Sequence, residues 1–268
     1  MKALLAVILC LSLSAGPATA QTFRVGVELQ PYPPYYGLKN GEYRGYARDL
    51  LDAFADAQGH QFTYVAVPVK RLLGDFLAGK LDFKYPDNPQ WSVEQKRGSS
   101  VFYSSSTAPF TDGVLVLPDR LGRDKNRLKV LGTQLGFTPL AYLADIDAGR
   151  MRLSQTNQID SLLKMALSGR VDGIYLNPLV ARHALKAAGL AEEALVFDAN
   201  LPHLQGDYFL SSLHQPQVIR EFDAFLERNQ ALVTRLRSRY GIEPEPRPVK
   251  GRVRPATSAV GGRAASSG

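Results

Sequence analysis

The first part of the sequence after residue 20 alternates short segments of strand periodicity with longer segments of helix periodicity. FRVGVE at 23–28 places an apolar residue at every second position, which is typical of a half-buried strand. YARDLLDAFADAQG at 46–59 repeats its apolar residues at helical spacing and ends on a glycine. The same criteria predict strands at 61–67 and 81–85 and a helix at 68–80. This order favours an α/β layer with parallel strands.

The second half repeats this alternation after an extended stretch at 108–119. The predicted strands are at 128–134, 151–155 and 171–177, and the predicted helices are at 138–146, 157–170 and 178–189. A second extended stretch at 195–213 precedes one long predicted helix at 215–241. Two α/β units separated by two extended stretches indicate two lobes with a cleft between them.

The predicted fold is therefore α/β, with two Rossmann-like lobes joined by two extended hinge crossings. The expected boundaries are 21–110 for the first part of lobe 1, 111–200 for lobe 2 and 201–245 for the return to lobe 1. Small-molecule sites commonly form in such clefts, and hinge closure is their usual motion.

Residues 1–20 have the layout of a secretory signal peptide. Lys2 is followed by an apolar run and by a segment that ends in an A-x-A pattern at Ala20. The apolar run is shorter than the roughly 20 residues that a membrane anchor needs, and Leu9 is too bulky for the position before a lipidated Cys10. We expect cleavage after Ala20.

Cysteine content and charge narrow the class of protein further. Cys10 is the only cysteine, so the mature chain has no disulfide or thiol site, which fits a bacterial periplasm. Lys2 and five residues of 246–268 carry six of the seven excess positive charges, leaving the body near +1. This acid-free, Pro/Gly/Ser-rich segment is expected to be a disordered basic tail. Nothing in the body indicates nucleic-acid binding.

Several motifs together resemble family 3 of the bacterial extracellular solute-binding proteins, over roughly residues 23–240. They are GYARDL after the PYPPYYG turn, LAGKLD, GFT at 136–138 and SGRVDG at 168–173. The resemblance implies a periplasmic binding fold of type II, a cleft that closes on one small solute, and no catalysis.

The resemblance also implies which segments line the cleft. An aromatic side chain from the first turn covers the ligand in such receptors, so Tyr32, Tyr35 and Tyr36 are candidates, although the turn could equally pack on its own lobe. Thr138 is a good N-cap with Pro139 at the first helical position, and the free amides beyond it would favour an anionic oxygen. An ordinary cap is the alternative.

Amino-acid receptors of this family carry an arginine that clamps the ligand carboxylate after the third strand. Counting forward from the LAGKLD motif reaches Glu94, whereas counting back from YS at 103–104 reaches Arg97. The difference suggests an insertion, YPDNPQW at 85–91, that brings Asp87, Asn88 and Trp91 to the ligand. The alternatives are a rigid turn with Trp91 in the core and a solvated helix end at Arg97.

A second departure from the family concerns the ligand ammonium. The position at which amino-acid receptors carry an ammonium-binding aspartate is Asn177 here, five residues after Asp172. A neutral amide cannot compensate a desolvated cation. We therefore expect ordinary α-amino acids to bind weakly, with Asn177 still available for hydrogen bonds.

The sequence favours a periplasmic protein that binds a small polar solute for an inner-membrane ABC permease. The alternative is a ligand-sensing receptor that docks on a membrane signalling protein. A small-carboxylate lyase or dehydratase, using Asp87, Glu94 and Arg97, is a minor alternative. The four histidines are scattered and no catalytic motif is present, so we expect a protein that is not an enzyme and has neither cofactor nor metal. We also expect a monomer.

Overall fold

The computed structural model describes residues 21–242 of the 268-residue chain. The expected signal peptide at 1–20 and basic tail at 246–268 lie outside these residues. Within the described part, no helix is long and apolar enough to cross a membrane.

Strands occupy the positions that the two-residue periodicity predicts, together with shorter strands in the connections. The strands are β1 Thr22–Glu28, β2 Gly37–Lys39, β3 Glu42–Arg44, β4 Gln61–Val67, β5 Phe83–Asp87, β6 Phe102–Tyr103, β7 Ala108–Val116, β8 Val130–Gln134, β9 Arg152–Thr156, β10 Gly173–Leu176, β11 Val196–Phe197 and β12 Leu204–Ser212.

Apart from the four-residue helix Val93–Lys96, the helices lie within the predicted helical segments or overlap them. They are α1 Tyr46–Gln58, α2 Val69–Leu77, α3 Val93–Lys96, α4 Leu143–Asp147, α5 Ile159–Leu167, α6 Pro178–Ala187, α7 Pro216–Arg228 and α8 Gln230–Arg239. Their apolar faces are buried against the sheet, as Leu50, Leu51 and Phe54 of α1 illustrate.

Lobe 1 is built on β4, β1, β5 and β12, in that order. Strand β1 is parallel to both β4 and β5, whereas β12 is antiparallel to β5. Because β1 and β5 run in the same direction, their last residues, Glu28 and Asp87, lie at the same edge of the sheet. Ligands of open α/β sheets bind at this carboxyl edge.

Lobe 2 is built on β7, β10, β8 and β9, in that order. Strand β8 is parallel to β9 and β10, and β7 is antiparallel to β10. The two sheets are joined where β7 pairs with β12, in a register that runs from Leu204 opposite Asp112 to Tyr208 opposite Ala108. These two strands are the extended crossings, so the predicted fold of two α/β lobes is confirmed.

The expected single helix at 215–241 is wrong, because the chain breaks at Asn229 between α7 and α8. The side-chain amide of Asn229 donates a hydrogen bond of 2.9 Å to the carbonyl of Phe225. This local bond competes with continuation of the helix, a behaviour typical of asparagine.

Candidate functional site

A cavity of about 290 Å³ lies where both lobes meet the two crossings. Lobe 1 contributes side chains from the ends of β1 and β5, from the turn at Tyr36 and from α2, while lobe 2 contributes the segment around Phe137 and Tyr175 of β10. The crossings contribute Asp112, Leu204 and Tyr208. The cavity is thus walled by apolar and aromatic side chains with a few charged groups, as small-molecule sites usually are.

One group of charges in the cavity is a buried ion pair network centred on Asp87. The ammonium groups of Lys84 and Lys96 lie 3.0 Å and 2.9 Å from the same carboxylate oxygen of Asp87. The Ser211 hydroxyl donates to the other oxygen at 2.7 Å. Lys84 also donates to the backbone carbonyl of Pro86, and Lys96 donates to that of Asn88. The ammonium group of each lysine is therefore already engaged inside the protein, by the Asp87 carboxylate and by one backbone carbonyl.

This network determines the ionisation of its members. Burial alone would raise the pKa of Asp87, but Lys84 and Lys96 hold the pKa below its usual range. Burial lowers the pKa of Lys96, and the attraction of Asp87 opposes that effect. Asp87 is therefore a structural carboxylate, ionised at neutral pH.

The remaining carboxylates of the cavity, Glu28 and Asp112, are differently placed. The Tyr36 hydroxyl donates to Glu28 at 2.6 Å, and the Tyr32 hydroxyl donates to Asp112 at 3.2 Å. The two tyrosine rings stack at 5.5 Å, so they hold the two carboxylates at one end of the cavity. Burial raises the pKa of Glu28, and it raises the pKa of Asp112 to about 7.

Aromatic rings form another wall of the cavity. The ring of Trp91 lies 5.7 Å from that of Phe110 and 6.0 Å from that of Tyr208. Trp91 is half-buried, and the ammonium group of Lys84 lies 5.8 Å from the centre of its ring. The indole therefore faces the cavity and is supported from behind by other rings.

Four of the eight candidate site residues line this cavity: Tyr36, Asp87, Trp91 and Thr138. The other four, namely Tyr32, Asn88, Arg97 and Asn177, are not among its lining residues. Residues 85–87 of the expected insertion are part of β5, and a turn at 88–91 follows, closed by a hydrogen bond from the Trp91 N–H to the Asn88 carbonyl.

The structure corrects the candidate carboxylate clamp. Arg97 directs its guanidinium to Glu94 at the surface, where both side chains are 76% exposed. The buried cation of this segment is its neighbour Lys96. Successive residues at the end of a helix point in different directions, so a count of positions alone could not tell Arg97 from Lys96.

We expect Arg97→Ala to change neither solute affinity nor stability appreciably. An exposed ion pair three residues apart contributes little, so the free energy of unfolding should change by no more than about 0.5 kcal/mol. Calorimetric titration and urea denaturation of the variant measure the two quantities. A tenfold loss of affinity would restore Arg97 as a ligand contact.

Three candidates have structural roles beside the cavity. Asn177 caps α6, accepting hydrogen bonds from the amides of Leu179 and Val180. The backbone N–H of Asn177 donates a hydrogen bond of 3.3 Å to the Tyr32 hydroxyl, and this bond links lobe 2 to the first turn of lobe 1. The Asn88 side chain donates to the Asp207 carbonyl of β12 at 2.9 Å.

Thr138 does not cap a helix as expected. Its side chain makes no capping hydrogen bond, and Pro139 precedes a 3₁₀ turn, Leu140–Tyr142, that leads into the five-residue α4. Such a short helix has little dipole to offer an anion. Thr138 is an exposed residue at the mouth of the cavity.

The charged residues missed by sequence analysis are Glu28, Lys84, Lys96 and Asp112. Only Glu28 carried a usable signal, because it ends a predicted strand whose carboxyl edge faces the cleft. Asp112 lies within a crossing strand, and the two lysines look like ordinary surface residues in the sequence. The cavity therefore has two carboxylates that could meet a ligand cation, Glu28 and Asp112, although position 177 is neutral.

Within residues 21–242, no group of three or more His, Cys, Asp or Glu side chains is arranged so that it could hold a metal ion.

Three solved structures share this fold over most of their length. An ancestral amino acid-binding protein, a precursor of cyclohexadienyl dehydratase, is 20% identical with a TM-score of 0.64, covering 83% of this chain and 96% of its own. The substrate-binding protein of an amino acid ABC transporter is 19% identical with a TM-score of 0.64, covering 82% and 98%. A histidine kinase sensor domain with similarity to periplasmic binding proteins is 18% identical with a TM-score of 0.66, covering 85% and 99%.

At these identities the likeness shows the fold. A comparison with curated proteins gives no match. The family model for bacterial extracellular solute-binding proteins, family 3, matches residues 23–230, which is most of the chain. The chain therefore belongs to family 3 of the bacterial extracellular solute-binding proteins.

Proposed function

We propose that the protein captures a small polar solute in the inter-lobe cavity and delivers it to an inner-membrane ABC permease. The observation that carries this proposal is the cavity itself, which the two lobes and both crossings enclose together. A cavity shared in this way can exist in its complete form only when the lobes are closed, so solute binding would favour closure.

The size and chemistry of the cavity support one small solute. Its volume of about 290 Å³ is near the lower end for small-molecule sites. Five side chains with a carboxylate or an ammonium group line it among aromatic and aliphatic ones: Glu28, Lys84, Asp87, Lys96 and Asp112.

A thermal-shift screen against amino acids, amines, small carboxylates and sugars tests solute capture. A solute present at 100 times its Kd should stabilise the protein by about 2.7 kcal/mol and raise Tm by several degrees. If no compound from these classes shifts Tm, solute capture is contradicted.

A sensor role is the second candidate, and the similar histidine kinase sensor domain is the observation that favours it. In that case the closed protein would dock on a membrane signalling protein. Adjacent genes for a permease and an ATPase would favour transport, whereas an adjacent gene for a membrane signalling protein would favour sensing. Stimulation of the reconstituted permease ATPase by the solute-loaded protein tests transport directly.

We propose binding without chemical conversion. The residues whose spacing suggested a dehydratase, Asp87, Glu94 and Arg97, do not converge, since Glu94 and Arg97 lie at the surface. Proton NMR of the solute after long incubation with the protein tests this point, and the appearance of a product would contradict it.

The proposed setting is the periplasm, with export through a signal peptide cleaved after Ala20, and the proposed state is a monomer. Mass spectrometry of a periplasmic extract should find a mature chain that begins at Gln21. Light scattering should give one copy per particle.

A further inference from the structure

The charges of the cavity do not balance. Asp87 pairs with Lys84 and Lys96, whereas Glu28 and Asp112 form no ion pair within 4 Å among residues 21–242. If all five groups are ionised, three negative charges face two positive ones. The end of the cavity at Glu28 and Asp112 is thus the place where a cation would be stabilised most.

A second, independent observation marks the same cavity. The Tyr175 hydroxyl lines it, is buried, and has no hydrogen-bond partner among the described residues. A buried hydroxyl without a partner costs free energy, which a ligand donor would recover. Burial is the main cause that raises the pKa of Tyr175, and the charge of the Asp112 carboxylate raises it further. The two groups are therefore close enough to interact.

The rest of the cavity is suited to an apolar body. The rings of Trp91, Tyr208 and Phe137 line it, and so do Leu72 and Leu204. Aromatic faces attract a cation as well as apolar groups. A ligand with a charged head and an apolar body would therefore be in contact with complementary groups along its length.

The cavity offers a ligand carboxylate much poorer partners than it offers a ligand cation. No arginine lines the cavity in the described part of the chain, and Arg97 lies outside it. Lys84 and Lys96 line it, but each already forms an ion pair with Asp87 and donates a hydrogen bond to a backbone carbonyl. A carboxylate would have to compete with Asp87 for these ammonium groups.

We propose that the solute is a cationic amine with an apolar body and no carboxylate, whose ammonium group is received by Glu28, Asp112 and the Tyr175 hydroxyl. This inference rests on the proposed function and names the class of its solute. Such a site differs from one that binds both the carboxylate and the ammonium group of an α-amino acid.

Matched pairs of ligands test the inference on the unmodified protein. Calorimetry compares tyramine with tyrosine, phenethylamine with phenylalanine, and cadaverine with lysine, at low ionic strength and pH 8. At least one amine should bind with a Kd about tenfold or more below that of its parent amino acid. An amino acid that binds as tightly as its amine, or tighter, in every pair overturns the inference.

Isosteric variants test the assigned residues. Asp112→Asn and Glu28→Gln should each raise the Kd of the best amine about 30-fold or more, because a desolvated charge pair is lost. Asp119→Asn, at an exposed carboxylate paired with Arg123, is the matched control and should leave the Kd unchanged. Unchanged amine affinity in a folded Asp112→Asn or Glu28→Gln variant contradicts the assignment.

The outcomes also separate the inference from the proposed function. If a sugar or a carboxylate binds and moves the emission of Trp91 while no amine binds, solute capture stands and the amine class is overturned. If no compound of any class binds, both fail.

Discussion

Replacing Asp87 by alanine is expected to lower the free energy of unfolding by about 3–5 kcal/mol, because it removes one partner of a buried ion pair. The substitution leaves Lys84 and Lys96 buried without their shared carboxylate, and it removes the acceptor of the Ser211 hydroxyl. Two like charges would then face each other in a site that excludes most water. Urea denaturation followed by far-UV circular dichroism measures the loss.

Asp119→Ala is the matched control for that experiment. Its carboxylate pairs with Arg123 at 3.2 Å, but both side chains are half or more exposed. Exposed pairs contribute about 0–1 kcal/mol, so the control should remain close to wild type. If Asp87→Ala were as stable as Asp119→Ala, the network would contribute nothing to the fold.

Stability should fall as pH rises from about 4 to about 7, because of Asp112. Its pKa is raised by burial from 3.8 to about 7 in the folded protein. In this interval the folded state holds a proton that the unfolded chain has lost, so the contribution is complete below about pH 4 and is lost on approaching pH 7. The shift corresponds to a change on the order of 4 kcal/mol. Glu28 acts in the same direction.

Asp112→Asn isolates this effect. The amide keeps an oxygen for the Tyr32 hydroxyl but cannot ionise, so the variant should be more stable than wild type at pH 8 and nearly equal at pH 4. Urea midpoints at a series of pH values give the difference between variant and wild type, in which the contributions of the groups that both proteins share cancel. A flat difference curve would show that Asp112 is not desolvated in the folded protein.

Most of the fold could be predicted because the two lobes use locally consistent signals. Apolar residues at every second position gave β1 and β4, and helical spacing with a terminal glycine gave α1. The exceptions have local causes. At Asn229 a side-chain bond interrupts an otherwise helical pattern. Pro86 and Asp87, which belong to the expected insertion at 85–91, instead extend β5, because Asp87 pairs with Phe209 of β12.

The site was less predictable because its charges come from positions far apart in the sequence. Lys84, Asp87 and Lys96 form one network only after β5 ends and the short α3 turns back. Asp112 is brought to the cavity by the pairing of β7 with β12, which no local pattern reports. Trp91 was predicted as a candidate because the expected insertion at 85–91 would bring it to the ligand, and it does line the cavity.

The central claim is that solute binds in the cavity between the lobes, and Trp91 reports on it directly because it is the only tryptophan in the chain. Titration with a solute that raises Tm should shift the Trp91 emission and saturate at the Kd found by calorimetry. Trp91→Ala should weaken binding by about 1–3 kcal/mol and leave stability nearly unchanged, since the side chain is only half-buried. Calorimetric binding with unchanged emission, together with a Trp91→Ala variant that binds normally but melts early, would contradict the account.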